Sequence, residues 1–212
     1  MRVTVTHLRR PLALALALNS LVVVVEFVAG GLTNSFSLLA DGVHNLSDET
    51  ALAALLIAYV LLRPASTRWL GVANILNTVG LVLLSGIVVW QAMLRLLQPS
   101  PIGALGTVIA GVLAVLGNLA VARFLRAAAA EDPSIRLAYI HNLGDAVVSG
   151  GPIVAGAVVA LTGLVVADLA VAVAIGAWFV GTTLRAAWKM KWDLLWPEQI
   201  QCANPAASDV AG

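Results

Sequence analysis

Apolar residues in this chain come in long runs broken by short polar joints, and windows of about 19 residues place six such runs. They cover approximately Leu12–Leu32, Ser37–Leu62, Leu70–Leu96, Ile102–Leu125, Ile135–Thr162 and Leu164–Ala186. The joints are Thr33-Asn34-Ser35, the stretch from Arg63 to Arg68, Gln98-Pro99-Ser100-Pro101, Arg126 to Ser134, and Leu161-Thr162-Gly163. Each run has the roughly 20 residues that a helix needs to cross a bilayer. Inside hydrocarbon the backbone must satisfy its own hydrogen bonds, which leaves helices or closed barrels. The period-two alternation of a barrel strand is absent. The pattern predicts an all-α membrane protein with six transmembrane helices.

Composition agrees. Of 212 residues, 60% are hydrophobic and only 11% charged, where a soluble domain has about 25%. The mean hydropathy is +0.96. The single cysteine, Cys202, excludes a disulfide within the chain and a cysteine-based metal site.

Charge placement gives the orientation. With the N-terminus inside, Arg2, Arg9, Arg10, Arg63, Arg68, Arg123, Arg126, Arg136, Arg185, Lys189 and Lys191 all fall on the cytoplasmic side. Of the 12 lysines and arginines only Arg95 falls outside. Positive charge concentrates on cytoplasmic loops, so both termini are expected in the cytoplasm. A cleaved signal peptide after Arg9-Arg10 is the rival reading, but the apolar run exceeds a usual signal core, and cleavage would spoil the charge pattern. The expected layout is an arm over residues 1–11, a six-helix domain over 12–186 and a short cytoplasmic tail over 187–212. The site is the cytoplasmic membrane of a prokaryote, and no nucleic-acid partner is expected.

Ionisable groups inside the runs are costly, at least about 2.5–3.5 kcal/mol each at mid-membrane, and usually mark function. Glu26, Asp41, Asp48, Glu49 and Asp145 lie there, as do two of the 3 histidines, His44 and His141. His7, in the arm, is expected to be inert. His44-Asn45-Leu46-Ser47-Asp48 puts an imidazole and a carboxylate one helical turn apart, about 6 Å along the axis. His141-Asn142-Leu143-Gly144-Asp145 repeats that spacing in the fifth run. Both pairs fall near mid-membrane, on helices that cross in opposite directions, so packing can bring them face to face.

Two imidazoles and two carboxylates make a tetrahedral N₂O₂ set of the kind zinc accepts. The carboxylates balance the 2+ charge, and the imidazoles shift preference away from magnesium, calcium and manganese. Cobalt, nickel, cadmium and ferrous iron stay possible. A lone HxxxD is equally a structural hydrogen bond; two at matching depth point to metal. No resident cofactor is expected beyond the ion itself.

The stretch Leu32-Thr33-Asn34-Ser35-Phe36-Ser37-Leu38-Leu39-Ala40-Asp41-Gly42-Val43-His44-Asn45-Leu46-Ser47-Asp48 resembles the second-helix signature of the cation diffusion facilitators, a family of zinc/proton antiporters. Arg136-Leu137-Ala138-Tyr139-Ile140-His141-Asn142-Leu143-Gly144-Asp145 is similar to its fifth-helix signature. Glu26, Pro99-Ser100-Pro101 and Asp168 also stand where that family tends to place such residues, and the resemblance covers roughly residues 10–190. It implies that His44, Asp48, His141 and Asp145 bind the transported ion, with export from the cytoplasm, proton exchange and a homodimer. The family's pattern usually continues into a cytoplasmic metal-binding domain that this sequence does not include. Gln91 replaces a glutamate common in the family.

Other polar residues have open readings. Asp41, three residues before His44, either orients a ligand or relays ions, or serves as a cap or helix–helix bond. Glu49 points about 100° away from Asp48 and is more simply a helix–helix bond than part of the pathway. Asn45 and Asn142 flank the candidate site. Asn19, Asn74, Asn77 and Asn118 read as interhelical hydrogen-bonders, and Gly150-Gly151, Gly156 and Gly176 as close-packing positions. Trp178 fits lipid contact, while Trp69, Trp188, Trp192 and Trp196 fit interfacial anchoring. Two further classes use the same groups: a membrane metalloenzyme, with Glu49 as the nearby general base, or a cation channel.

Overall fold

A computed structural model describes residues 6–61 and 67–195, nearly all of them helical. The N-terminal Arg2, the joint residues Arg63 to Ser66, and the tail from Trp196, with Cys202, lie outside the described residues. So do the side chains of His7, Arg68, Trp69, Asn74, Asn77, Lys189, Lys191 and Trp192.

The helices are α1 (Thr6–Thr33), α2 (Phe36–Leu61), α3 (Thr67–Leu97), α4 (Ala104–Leu125), α5 (Pro133–Val148), α6 (Gly150–Thr162) and α7 (Val166–Leu195), with a 3₁₀ turn at Ala128–Ala130. Their ends follow local chemistry. Asn34 takes the left-handed conformation at φ 62°, and the Ser35 amide reaches back to the Gly30 carbonyl at 3.0 Å, closing α1. Ser35 Oγ then accepts from the Leu38 amide and opens α2. Asp132 accepts from the Ile135 amide ahead of α5, and Gly163, at φ 73°, ends α6.

The fifth predicted run is one span broken in two, α5 and α6 meeting at Ser149. Pro152 supplies the reason: without an N–H it cannot bond the Val148 carbonyl, and its ring crowds that carbonyl. α1 begins six residues before the predicted run, at Thr6, and its Leu8 and Leu12 are buried.

Among the described residues, five segments are long and apolar enough to cross a membrane: Leu8–Thr33, Thr78–Leu97, Ala104–Leu125, Ile135–Thr162 and Val166–Arg185. The remaining helix, α2, has ample length at 26 residues, but Asp41, His44, Asp48 and Glu49 make it more polar. It occupies the middle of the bundle, packed by α1, α3 and α7, while α4 packs on α1, α5 and α6. Outward faces carry Leu21, Val24, Ile87, Trp90, Ile109 and Trp178, as lipid contact requires. The chain is a multi-pass integral membrane protein.

Two apolar clusters lie at opposite ends of the bundle. One gathers Leu8, Leu12, Leu52, Val121, Leu125 and Ile135. The other gathers Ala40, Ala92, Leu169, Ala172, Ile175 and Phe179. Lipid offers no hydrophobic drive to join helices, so small residues that allow close approach do that work. Buried Ala40, Ala92, Ala110, Ala114, Ala155 and Ala172 fit that role. Between the clusters, at the level of His44 and Asp145, the interior turns polar.

Candidate metal centre

α2 carries His44 and Asp48 on one face between Ala40 in one apolar cluster and Leu52 in the other. α5 carries His141 and Asp145 midway between Ile135 and Val148. The two helices touch over only a short stretch, and that stretch is where the four side chains converge. His44 Nε2 lies 3.1 Å from Asp145 Oδ1 and 3.2 Å from Asp48 Oδ2. His141 Nε2 lies 2.7 Å from Asp48 Oδ1 and 3.8 Å from Asp145 Oδ1. One ligand atom from each of the four residues lies within 4.8 Å of all the others.

A tetrahedral zinc with bonds of about 2.0–2.1 Å would hold its ligand atoms about 3.3 Å apart. The four nitrogen–oxygen separations bracket that figure. Hydrogen bonding within the protein leaves the cluster unbalanced: a ring nitrogen carries at most one hydrogen, Asp48 Oδ2 has only the shared His44 Nε2 nearby, and buried Asp145 Oδ2 meets no protein donor. Buried carboxylate oxygens short of donors are what a dication satisfies.

The four side chains are unequally buried. His44, Asp48 and Asp145 are 4%, 8% and 3% exposed, whereas the His141 side chain is 48% exposed. The end where α2 begins is tied to α7. There Asp168, at the start of α7 and fully buried, accepts from Ser35 Oγ at 2.7 Å, from Ser37 Oγ, and from the amides of Phe36 at 2.7 Å and Ser37 at 3.3 Å. A carboxylate at a helix N-terminus also meets the favourable end of the dipole. Arg95 donates to the Asn34 carbonyl at 3.2 Å and lies over the Phe36 ring.

The neighbouring polar residues divide into two groups. Asn45 Nδ2 donates to both Glu26 oxygens at 2.7 and 2.8 Å. Glu26 in turn adjoins Asp41, whose two oxygens are buried without hydrogen-bond partners although the Ser149 hydroxyl is nearby. Glu49 instead faces α1, accepting from Asn19 Nδ2 at 2.9 Å and from the Ser20 hydroxyl. Asn118 bonds Ser149. Asn142 donates to the Ala138 carbonyl of its own helix, away from the cluster.

Phe179 is a neighbour that sequence reasoning missed. It lies flat on the His44 imidazole, ring centroids 3.4 Å apart and planes within 10°. An apolar residue in an apolar run gives no signal of such a role. Asp168 did carry one, as a carboxylate opening an apolar helix.

Residues 12–195 match the model of the cation efflux transmembrane domain. The metal cation efflux system protein CzcD of Cupriavidus metallidurans is 31% identical over 182 residues, which are 82% of this chain and 58% of that protein. The zinc transporter ZitB of Escherichia coli is 29% identical over 211 residues, covering 95% of this chain and 66% of its own length. A Bacillus subtilis protein named as a cadmium, cobalt and zinc/H⁺–K⁺ antiporter is 29% identical over 150 residues, covering 66% of this chain and 48% of its own. The chain thus spans less than two thirds of the length of each.

Proposed function

Because this chain belongs to the cation efflux family, we propose that it is a secondary transporter exporting a divalent transition metal, zinc foremost, from the cytoplasm in exchange for protons. His44, Asp48, His141 and Asp145 bind the ion. The six-helix domain of residues 12–186 carries the transport, the residues before and after it lie on the cytoplasmic side, and the protein works as a homodimer in a prokaryotic inner membrane. Cobalt and cadmium are the next candidates, in keeping with the names of the relatives.

The observation that carries this reading is the convergence of four ligand atoms within 4.8 Å at the polar level between two apolar clusters. Metal needs neutral imidazole and ionised carboxylate, so protons and metal compete for one set of groups. Alternating access follows if the metal-loaded and protonated forms each permit the bundle to rock between openings. His141 is half exposed, whereas Asp168 is fully buried where α2 begins. Hydrolytic chemistry finds less support, because Glu49, the nearby candidate base, is engaged by Asn19 and Ser20.

The test is zinc uptake into proteoliposomes holding this chain, with an acidic lumen. Saturable uptake that collapses with the gradient and disappears in Asp48→Ala and Asp145→Ala is expected. Undiminished transport in both variants would overturn the site, and crosslinking in the same vesicles checks the homodimer.

A further inference from the structure

Metal-binding imidazoles are ordinarily steadied by their second nitrogen, which donates to a carboxylate, a carbonyl or water and so fixes tautomer and orientation. No protein group gives His44 that support. Its Nε2 faces Asp48 and Asp145, and its Nδ1 is buried without a hydrogen-bond partner. The ring is held instead by a side chain from α7, the Phe179 phenyl lying parallel to it at 3.4 Å. Phe179 is itself buried in the apolar cluster that covers this side of the site.

We propose that Phe179 is a positioning and specificity-determining residue of the metal site: its phenyl face sets the plane of the His44 imidazole, whose Nδ1 no protein group bonds, and biases the site toward ions that accept a tetrahedral N₂O₂ set. This rests on the reading that the four residues bind metal. The two supports are complementary. The stack fixes the tilt of the ring, and the two carboxylates decide which edge of it faces the site. An imidazole free to swing would have to be ordered on binding, at a cost in affinity. A loose ligand also lets the site adapt to ions that prefer other geometries, which blurs selectivity.

Electrostatics points the same way. An aromatic face is negative and attracts cationic character. An imidazole that donates its Nε2 lone pair to a dication becomes more positive, so the contact with Phe179 strengthens when the site is loaded. The stack thereby favours the bound state and ties α7 to the occupancy of a site built by α2 and α5.

The experiment uses the purified chain in lipid nanodiscs, with zinc and cobalt(II) as probes and manganese as competitor. Phe179→Leu and Phe179→Met keep apolar bulk without a planar face, and Phe179→Tyr keeps the face. Both flat-face losses are expected to weaken zinc binding by roughly three- to tenfold, the range of an aromatic contact. They should also reduce the intense visible absorption that marks tetrahedral cobalt, and narrow the preference for zinc over manganese. Phe179→Tyr should retain all three properties. Wild-type affinity, cobalt spectrum and selectivity in both Leu and Met variants overturn the proposal, and so does a Tyr variant as impaired as they are. A wild type that binds neither zinc nor cobalt overturns the metal-site reading itself, a result distinct from tight wild-type binding with indifferent variants.

Discussion

His141 lies closer to the carboxylate of the opposite helix than to the one on its own, Nε2 standing 2.7 Å from Asp48 Oδ1 and 3.8 Å from Asp145 Oδ1. His44 divides itself almost evenly, 3.2 Å from Asp48 and 3.1 Å from Asp145. Neither HxxxD is therefore a unit; the four side chains form one crosswise set. Removing either aspartate strips a partner from both imidazoles. Asp48→Ala and Asp145→Ala should each reduce zinc affinity by more than the roughly 10–100-fold typical of losing a residue that only orients a ligand. The double variant should be little worse than either single, because residues that act together are not additive. Isothermal titration of the three proteins decides it, and additive losses would mean two separate sites.

Glu49 adjoins Asp48 in sequence but faces α1, and the two residues should behave oppositely. Asn19 and Ser20 donate to Glu49 from α1, and such bonds within membranes contribute about 1 kcal/mol. Glu49→Leu is expected to lower the thermal midpoint while leaving zinc affinity unchanged. A loss of affinity comparable to that of Asp48→Ala would place Glu49 in the ion pathway.

These two acidic residues show what the sequence made legible. Both stood out as charges inside an apolar run, and helical periodicity alone separated their directions by about 100°, which the structure bears out. The pairing of His44 with Asp145 rather than with Asp48 alone was not legible, because it depends on how α2 and α5 cross. Six membrane runs were legible from hydropathy; the break at Ser149 was less so, since Pro152 sits in a run apolar enough to read as one span. Phe179 could not be found at all, because an aromatic among aliphatic residues satisfies any lipid or core position. Gly150 and Gly156 looked alike for a related reason: absence of a side chain says nothing about which neighbour approaches.

Asp168 joins the start of α7 to the start of α2, accepting from two serine hydroxyls and two backbone amides while fully buried. Asp168→Asn keeps the shape but removes the charge and turns an NH₂ toward one of those donors. Hydrogen bonds to charged groups contribute about 1.5–3 kcal/mol each, so a net loss of about 2 kcal/mol is expected, read as a lower thermal midpoint. Zinc affinity at equilibrium should hold, since Asp168 touches none of the four ligands. Lost affinity with unchanged stability is the outcome that contradicts this assignment.

Gly150 and Gly156 lie six residues apart, yet adding one methyl group to each should have opposite consequences. At Gly156 a Cβ would stand 2.8 Å from Val108 Cγ2 and 2.9 Å from the Ala104 carbonyl oxygen. The valine can turn, but the carbonyl belongs to the backbone of α4, so α4 and α6 must part. Overpacking of this kind costs about 1–3 kcal/mol. At Gly150 nothing lies within 4 Å of the added atom, and replacing a helical glycine gains about 0.5–1 kcal/mol from the unfolded chain's lost freedom. Thermal melts in one detergent should therefore put Gly156→Ala below the wild type and Gly150→Ala at or above it. The order follows from α4 lying against α6 along Ala104 and Val108 while α6 leaves Gly150 uncovered at the break from α5. If the two variants melted together, that packing of α6 on α4 would be wrong.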